Sequence, residues 1–318
     1  VSTTVTPPPG LTVRAATPED AAEVCALLNR VDLLEIGRAE TEVAEVAAEL
    51  GHPEVDLARD SWLLWEGRRL VGYGLLRDAS GGERIDIDQY VLPDRQDGAL
   101  HLFDLMEARA AERAAANGAR RAVVHLHLNS APTVDTAAMR ARGWRAVRRY
   151  NVLTRPVSPA ADPVPAPPAG VVLRDCTAEA DRRIAHRLLQ QSFAGHYDFR
   201  PRSYEEWLED IDGANADWSL VWVAAVAGVG DAAVLRCRND RGGTGWASNI
   251  GVLPQARGRG VGGHLLRHFF GAFAALGRGR VGLGVDTENG TGAPELYLRH
   301  GMALDFAVDT WELVVALG

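Results

Sequence analysis

Two hydrophobic periods alternate along this chain, and the places where one gives way to the other mark its elements. In the second half, residues 171–174 form a short apolar run that reads as a strand. Residues 178–191 carry Ile184, Leu188 and Leu189 at the spacing of one helical face, and residues 204–211 predict a second, shorter helix. Residues 218–227 and 232–238 read as a hairpin folded about Gly228-Val229-Gly230. A strand over 246–252 then leads to a helix over 260–276, with Val261, Leu265, Phe269 and Phe273 on one stripe. Strands at 280–286 and 310–315 complete the order, and the first half follows it from Val13 through Tyr150. Mixed strands with helices between them predict an α/β fold in layers.

The halves repeat weakly at an offset of about 160 residues. Leu11-Thr12-Val13-Arg14 with Thr17 corresponds to Val171-Val172-Leu173-Arg174 with Thr177. Val91-Leu92-Pro93 corresponds to Val252-Leu253-Pro254, and Gly143-Trp144 with the strand-like run 147–154 corresponds to Gly301-Met302 with the run 308–315. Two copies of one fold, joined head to tail, account for this. The expected division is a disordered N-terminus over 1–10, a first domain over 11–155, a Pro- and Ala-rich extended linker over 156–170, and a second domain over 171–318.

Composition changes this picture little. A chain of 318 residues has room for two domains, and 47% hydrophobic with 24% charged residues is ordinary for a globular protein. The net charge of −8 argues against nucleic acid as a partner, and no apolar run reaches membrane-spanning length. Cys25, Cys176 and Cys237 are odd in number and far apart, which fits free thiols and a cytoplasmic location.

The chemistry concentrates in Ile250-Gly251-Val252-Leu253-Pro254-Gln255-Ala256-Arg257-Gly258-Arg259-Gly260-Val261-Gly262. A strand, a glycine-rich loop and a helix start in succession aim backbone N–H groups and the positive helix end at one spot. Glycines at 258, 260 and 262 clear the backbone for an anion, and Arg257 and Arg259 add charged donors. The loop is suited to a phosphate or diphosphate. A Walker-type loop would need Lys and then Ser or Thr where Gly263-His264 stands. A dinucleotide fingerprint matches literally from Gly258 to Gly263, with Asp286 at a fitting distance. That fingerprint would follow its strand directly and open a larger sheet, and here Pro254 to Arg257 intervene.

The segment from Val252 to Gly262 resembles V-x-P-x-x-R-G-x-G-x-G, the coenzyme A loop of the GNAT-type N-acetyltransferases. Downstream, a buried strand ending at Asp286, then Asn289, then Leu296-Tyr297-Leu298-Arg299-His300-Gly301 follow the family's order and spacing. The resemblance implies two tandem GNAT-like domains, each a mixed, mostly antiparallel central sheet flanked by helices. Tandem acetyltransferases of this layout include mycothiol synthase. It further implies acetyl-CoA as cosubstrate without a metal, a small-molecule amine as acceptor, and direct attack in a ternary complex. By the same resemblance Ile250, Gly251, Val252, Arg257, Gly258, Arg259, Gly260, Val261, Gly262 and Asn289 hold the coenzyme, a backbone N–H near Val252 polarises the thioester, and Tyr297 is the general acid.

The pattern is incomplete in two places. Relatives often carry a Glu on the central strand as base; here Gly245-Trp246-Ala247-Ser248-Asn249 offers no carboxylate, so no substrate is carried over from the family. His196 is the candidate base, with Glu206 and Asp210 as others, and Ser248 and Asn249 as groups that could orient a water. The first copy reads Asp94-Arg95-Gln96-Asp97-Gly98 after its Val-Leu-Pro and has Met139 in place of the Tyr, so it is expected to be noncatalytic. The opposing function is a noncatalytic acyl-CoA-binding or regulatory protein on the same scaffold. His125 and His127 share a strand face, but without a third ligand they read as hydrogen-bonded strand residues. Acidic residues from Glu205 to Asp212 would attract a cationic amine. The oligomeric expectation is a monomer or homodimer.

Overall fold

The structure is a computed structural model that describes all residues except 1–5, 53, 54, 79, 80, 213–216, 242 and 318. By contacts the chain divides into unit 1, residues 1–150 with 306–318, and unit 2, residues 151–305. Of the N-terminal segment expected to be disordered, residues 1–5 lie outside the described part; from there the chain is placed, and Leu11 N–H donates to Pro8 O at 3.0 Å.

Unit 1 contains β1 (Leu11–Arg14), α1 (Ala21–Glu35), α2 (Val43–Leu50), α3 (Leu57–Asp60), β2 (Ser61–Glu66), β3 (Arg69–Arg77), β4 (Arg84–Val91), α4 (Gln96–Ala116), β5 (Arg121–Asn129) and α5 (Thr136–Ala141). Its sheet runs β1-β2-β3-β4-β5, antiparallel except for the β4–β5 pair. The sixth strand comes from the chain's end: β12 (Ala303–Ala316) pairs antiparallel with β5 from Val308↔Asn129 to Ala316↔Arg121.

Unit 2 contains the second half of β6 (Arg145–Pro156), β7 (Val171–Asp175), α6 (Glu179–Phe193), α7 (Tyr204–Asp212), β8 (Val221–Val226), β9 (Gly230–Arg241), β10 (Thr244–Val252), α8 (Val261–Ala275), β11 (Arg280–Asp286) and α9 (Ala293–Arg299). Its strands lie in the order β7-β8-β9-β10-β11-β6, antiparallel from β7 to β10 and parallel between β10 and β11. The predicted elements of this half match these closely. The expected division at 155 and 171 differs from the contacts: residues 151–155 lie in unit 2 and residues 306–318 in unit 1. The two runs that correspond in the sequence repeat, the ends of β6 and β12, each serve the unit other than the one whose helices precede them.

Segment 156–170 is not a free spacer. Asp162, 8% exposed, pairs with Arg155 at 2.6 Å and accepts from Ser158 N–H at 3.2 Å. Arg155 also lies over the Phe270 ring at 4.5 Å. Val164 backbone passes so close to α8 that a Cβ on Gly271 would stand 2.7 Å from its Cα. The lack of hydrophobic periodicity hid this, because the segment docks through backbone, one ion pair and the single buried Val157 rather than through an apolar stripe.

The core of unit 2 explains how the loop segment is held. Val261, Leu265, Phe269 and Phe273 of α8 pack with Leu235, Ala247, Val281 and Leu283 of the sheet. On the opposite face Leu188 and Leu189 of α6, with Trp207 and Ile211 of α7, cover Val223 and Val234. A Cβ at Gly245 would sit 2.0 Å from Phe273 Cδ1, so α8 rests directly on the backbone of β10. All three cysteines are free and buried.

Candidate coenzyme and acyl-transfer site

β10 pairs with β9 up to Val252↔Ala233, whereas its ladder with β11 runs only from Thr244↔Arg280 to Ala247↔Leu283 among the described residues. Beyond that point β10 continues to Val252 and β11 to Asp286, and the two diverge. A register shift between Ala247 and Asn249 places Ser248 at a bulge, the usual device for bending one strand away from a neighbour. Leu253 N–H donates to Ala232 O at 2.8 Å. Strand alternation therefore turns the N–H and C=O groups of Ile250 and Val252 away from β9, into the gap beside β11. Val252 O accepts from Arg257 Nε at 3.1 Å, and the Val252 N–H faces the same gap.

A 3-10 turn over Pro254–Ala256 leads from this strand to α8. Gly258 at φ +73° and Gly260 at φ +76° hold left-handed conformations, and a Cβ on either would meet nothing within 4 Å. At these two positions glycine is required by the backbone turn, not by neighbouring atoms. Gly260 caps α8 without a side chain, and the first turn holds no acidic residue. His264 N–H bonds to Gly260 O at 3.0 Å, so the N–H groups of Val261, Gly262 and Gly263 precede the first intrahelical bond. The positive helix end is thus uncompensated by its own sequence. Arg259 Nη1 rests on Ala227 O at 3.2 Å, and both loop arginines are exposed.

Gly262 is where three elements meet: its Cβ would lie 3.3 Å from Leu296 Cδ2 of α9 and 3.7 Å from Val252 Cγ2. Tyr297, next to Leu296, is 7% exposed and lies in the cluster with Val261, Leu265, Val285 and Met302, against which Ile250 and Val252 also pack. Burial pushes its phenol up to about 12, so it stays protonated across any working pH. Its hydroxyl has no hydrogen-bond partner among the described residues. Asn289 is committed to the turn before α9, its Oδ1 accepting from Thr291 N–H at 2.9 Å, which leaves only its side-chain NH₂ for a ligand. Asp286 Oδ1 accepts from Glu288 N–H at 2.9 Å, a turn role rather than a ribose contact.

The structure brings together the strand end, the glycine loop and Tyr297. His196 sits in the turn after α6, its ring tilted against Phe193 with centroids 4.5 Å apart. Glu206 is a capping residue: it accepts from Ser203 N–H at 2.7 Å while its own N–H donates to Ser203 Oγ at 3.1 Å, and these bonds hold its carboxyl below the usual range. The side chain of Asp210 lies outside the described residues. One group escaped sequence reasoning. Ser192 of α6 faces Gly251, whose Cβ would stand 2.8 Å from Ser192 Oγ, and that hydroxyl is buried without a partner, as is Ser248 Oγ. Only the long-range packing of α6 on β10 reveals it.

In unit 1 the equivalent helix start is filled by its own side chains. Asp97 sits in the first turn of α4, accepts from Gly98 N–H at 2.9 Å and pairs with Arg95 at 2.8 Å, which holds its carboxyl below the usual range. Met139 is fully buried. His125 bonds Glu312 at 3.0 Å and His127 bonds Thr310 at 3.1 Å, so both imidazoles serve the β5–β12 pair. No cluster of three or more His, Cys, Asp or Glu able to hold a metal occurs among the described residues, and none of their helices is long and apolar enough to cross a membrane.

Comparison with known proteins agrees with this arrangement. Residues 217–301 match the family model of the acetyltransferase (GNAT) domain. No curated protein sequence matches the chain. Among solved structures, a GCN5-related N-acetyltransferase from Sphaerobacter thermophilus superposes with TM-score 0.84 at 24% identity, covering 98% of each chain. A tandem GNAT protein from the clavulanic acid biosynthesis pathway gives 0.69 at 18% identity, covering 97% of this chain and 99% of that one. N-myristoyltransferase of Saccharomyces cerevisiae with bound myristoyl-CoA gives 0.65 at 10% identity, covering 100% and 81%. Residues 217–301 are thus similar to the acetyltransferase (GNAT) domain, and the chain has the fold of tandem GNAT proteins.

Proposed function

We propose that unit 2 transfers an acetyl group from acetyl-CoA to the amine of a small-molecule acceptor, by direct attack within a ternary complex. The observation that carries this is the uncompensated start of α8 beside the diverging ends of β10 and β11. The diphosphate is received by the N–H groups from Gly258 to Gly263, with Arg257 and Arg259 swinging from their backbone carbonyls to the phosphates. The pantetheine arm enters the strand gap and bonds to Ile250 and Val252 as a further strand would. The Val252 N–H polarises the thioester oxygen, and Tyr297 donates a hydrogen bond to the departing sulfur. Two solved neighbours of the same fold support an acyl-CoA ligand: one is an N-acetyltransferase and one binds myristoyl-CoA.

The amine's proton leaves on the α6 side of β10. The strand supplies no carboxylate there, and Ser192 and Ser248 are the unpaired hydroxyls positioned to hold a water. His196, in the turn that follows α6, is the proposed base acting through that water. Unit 1 is proposed to be noncatalytic, because Asp97 occupies the position an incoming phosphate would need. The missing strand carboxylate favours one competing function, an acyl-CoA-binding protein without transfer. A thiol-release assay with acetyl-CoA across a panel of primary amines decides between them. Release above the hydrolysis background with at least one amine supports transfer; coenzyme binding with no release from any amine supports the binding protein.

A further inference from the structure

Unit 1 holds a charged cluster that its packing does not use up. β3 and β4 pair with Tyr73 opposite Tyr90 and Arg77 opposite Asp86, so Tyr73, Arg77, Asp86, Asp88 and Tyr90 stand on one sheet face. The alternate residues Ile85, Ile87, Gln89 and Val91 are buried on the other face. Arg77 pairs with both Asp88 and Glu49 of α2, and Asp32 of α1 lies close enough for its charge, with those of Glu49 and Asp88, to act on Tyr90. Asp86 is already paired with Arg84 at 2.9 Å. Two carboxylates, Glu49 and Asp88, therefore share one guanidinium, and their net charge is negative. The surplus shows in Glu49, which burial raises despite Arg77, with the charge of Asp88 adding to the shift.

Beneath these charges lies an unpaired polar group. The Tyr73 ring stacks on Tyr90 with centroids 6.4 Å apart and planes at 17°. Its hydroxyl is buried without a hydrogen-bond partner, the residue being 1% exposed, and it feels the charges of Glu49, Asp88 and Arg77. Leaving such a hydroxyl unmatched is costly, so its retention beside surplus charge points to a ligand. The Arg77 and Glu49 side chains keep 37% and 33% of their area in solvent, so the cluster is open on one side. A bare metal ion does not fit, because no three His, Cys, Asp or Glu side chains among the described residues converge closely enough to hold one. The dispersed carboxylates and the Tyr90 ring call for a cation with some length.

We propose that this face of unit 1 binds a small organic primary ammonium ion. Its N–H donors go to Glu49, Asp88 and the Tyr73 oxygen, the net negative charge of Glu49 and Asp88 around Arg77 balances its own, and its hydrocarbon part lies on Tyr90. The site requires neither the coenzyme loop nor Tyr297, so its failure and that of acetyl transfer are separately observable.

The test uses the full chain without acetyl-CoA, titrated with n-butylammonium chloride and, as controls, n-butanol, sodium butyrate and magnesium chloride, followed by ligand-observed NMR. Saturable binding of n-butylammonium with a Kd on the order of millimolar is expected for so small a ligand, with no binding of the controls. Tyr73→Phe, which keeps the ring and every ion pair, weakens it about fivefold, and Asp88→Asn weakens it at least about tenfold. Absence of saturation, equal binding of n-butanol, displacement by magnesium, or unchanged affinity in Tyr73→Phe each overturns the proposal. Should Asp88→Asn fail to fold by circular dichroism, Tyr73→Phe decides alone.

Discussion

Gly260 offers a direct test of why the loop is rich in glycine. It caps α8 at φ +76°, and a Cβ there would meet nothing within 4 Å. Any penalty in the free protein is therefore conformational. An L-residue other than Gly, Asn or Asp pays about 1–2 kcal/mol to hold the left-handed region. Gly260→Ala is expected to lower unfolding free energy by about that amount, shifting the melting temperature by roughly 2–4 °C per kcal/mol for a unit of this size. If the loop instead escapes the strain by leaving the left-handed region, coenzyme binding pays the same cost, which weakens acetyl-CoA about 5–30-fold by calorimetry. Gly260→Asn separates conformation from space, since Asn tolerates the left-handed region but is bulkier. The conformational argument predicts that Asn stays closer to wild type than Ala in both measurements. If Asn binds coenzyme worse than Ala, the open space at Gly260 is what the diphosphate needs, and this reasoning fails.

Three further outcomes follow from other parts of the chain. Titration with acetyl-CoA is expected to give one site per chain by calorimetry, because Asp97 fills the helix start in unit 1; a second site of similar affinity contradicts that account. Burial holds His268, against Trp222, at about 4, below its ordinary value near 6.5, and holds buried His264 low as well. The unfolded chain then takes up protons that the folded one refuses. Stability is full above pH ~6.5 and falls as pH drops toward ~4, and His268 contributes at most about 3 kcal/mol before solvent screening. His268→Phe should flatten that part of a denaturation-versus-pH profile; an unchanged slope assigns it to other groups. Gly271→Ala would drive a Cβ to 2.7 Å from Val164 Cα, and is expected to cost about 1–3 kcal/mol by undocking segment 156–170. Unchanged stability with unchanged protease resistance of that segment would show the docking to be incidental.

Much of unit 2 was legible because its periodicity and its punctuation agree. The stripe from Val261 to Phe273 follows a helical period, Gly228 and Gly230 mark a tight hairpin, and Pro254 ends a strand. The form of the loop was legible for the same reason, since its glycines and an acid-free first turn are sequence properties before they are structural ones. Long-range choices were not. Nothing in the runs 308–315 and 147–154 states which sheet each joins, since an apolar strand completes either edge equally well. Ser192 was invisible because its significance depends on Gly251, 59 positions away, letting α6 lie against β10. Glu206 read as a candidate base because a capping box and a catalytic carboxylate look alike until the Ser203 bonds are seen.

The environment of Tyr297 also constrains what its proposed role can be. A phenol held near 12 is a poor proton source for a thiolate whose parent thiol ionises at about 8.5; full transfer runs uphill by roughly 5 kcal/mol. Donating a hydrogen bond carries no such cost, and in a buried site that bond is stronger than in water. The two modes respond differently to the acidity of the phenol. If the proton is fully transferred in the rate-limiting step, replacing Tyr297 with progressively more acidic fluorotyrosines raises kcat by up to about tenfold per unit of acidity. If the hydroxyl only donates, kcat stays nearly flat across the series. A flat series is expected here. Tyr297→Phe should then lower kcat by about 10–150-fold, the worth of one hydrogen bond to a charged atom, while leaving acetyl-CoA affinity within about twofold. A steep rise along the series would mean that the coenzyme itself lowers the phenol's pKa on binding. A collapse of affinity in Tyr297→Phe would move the residue from transition-state stabilisation to ground-state binding.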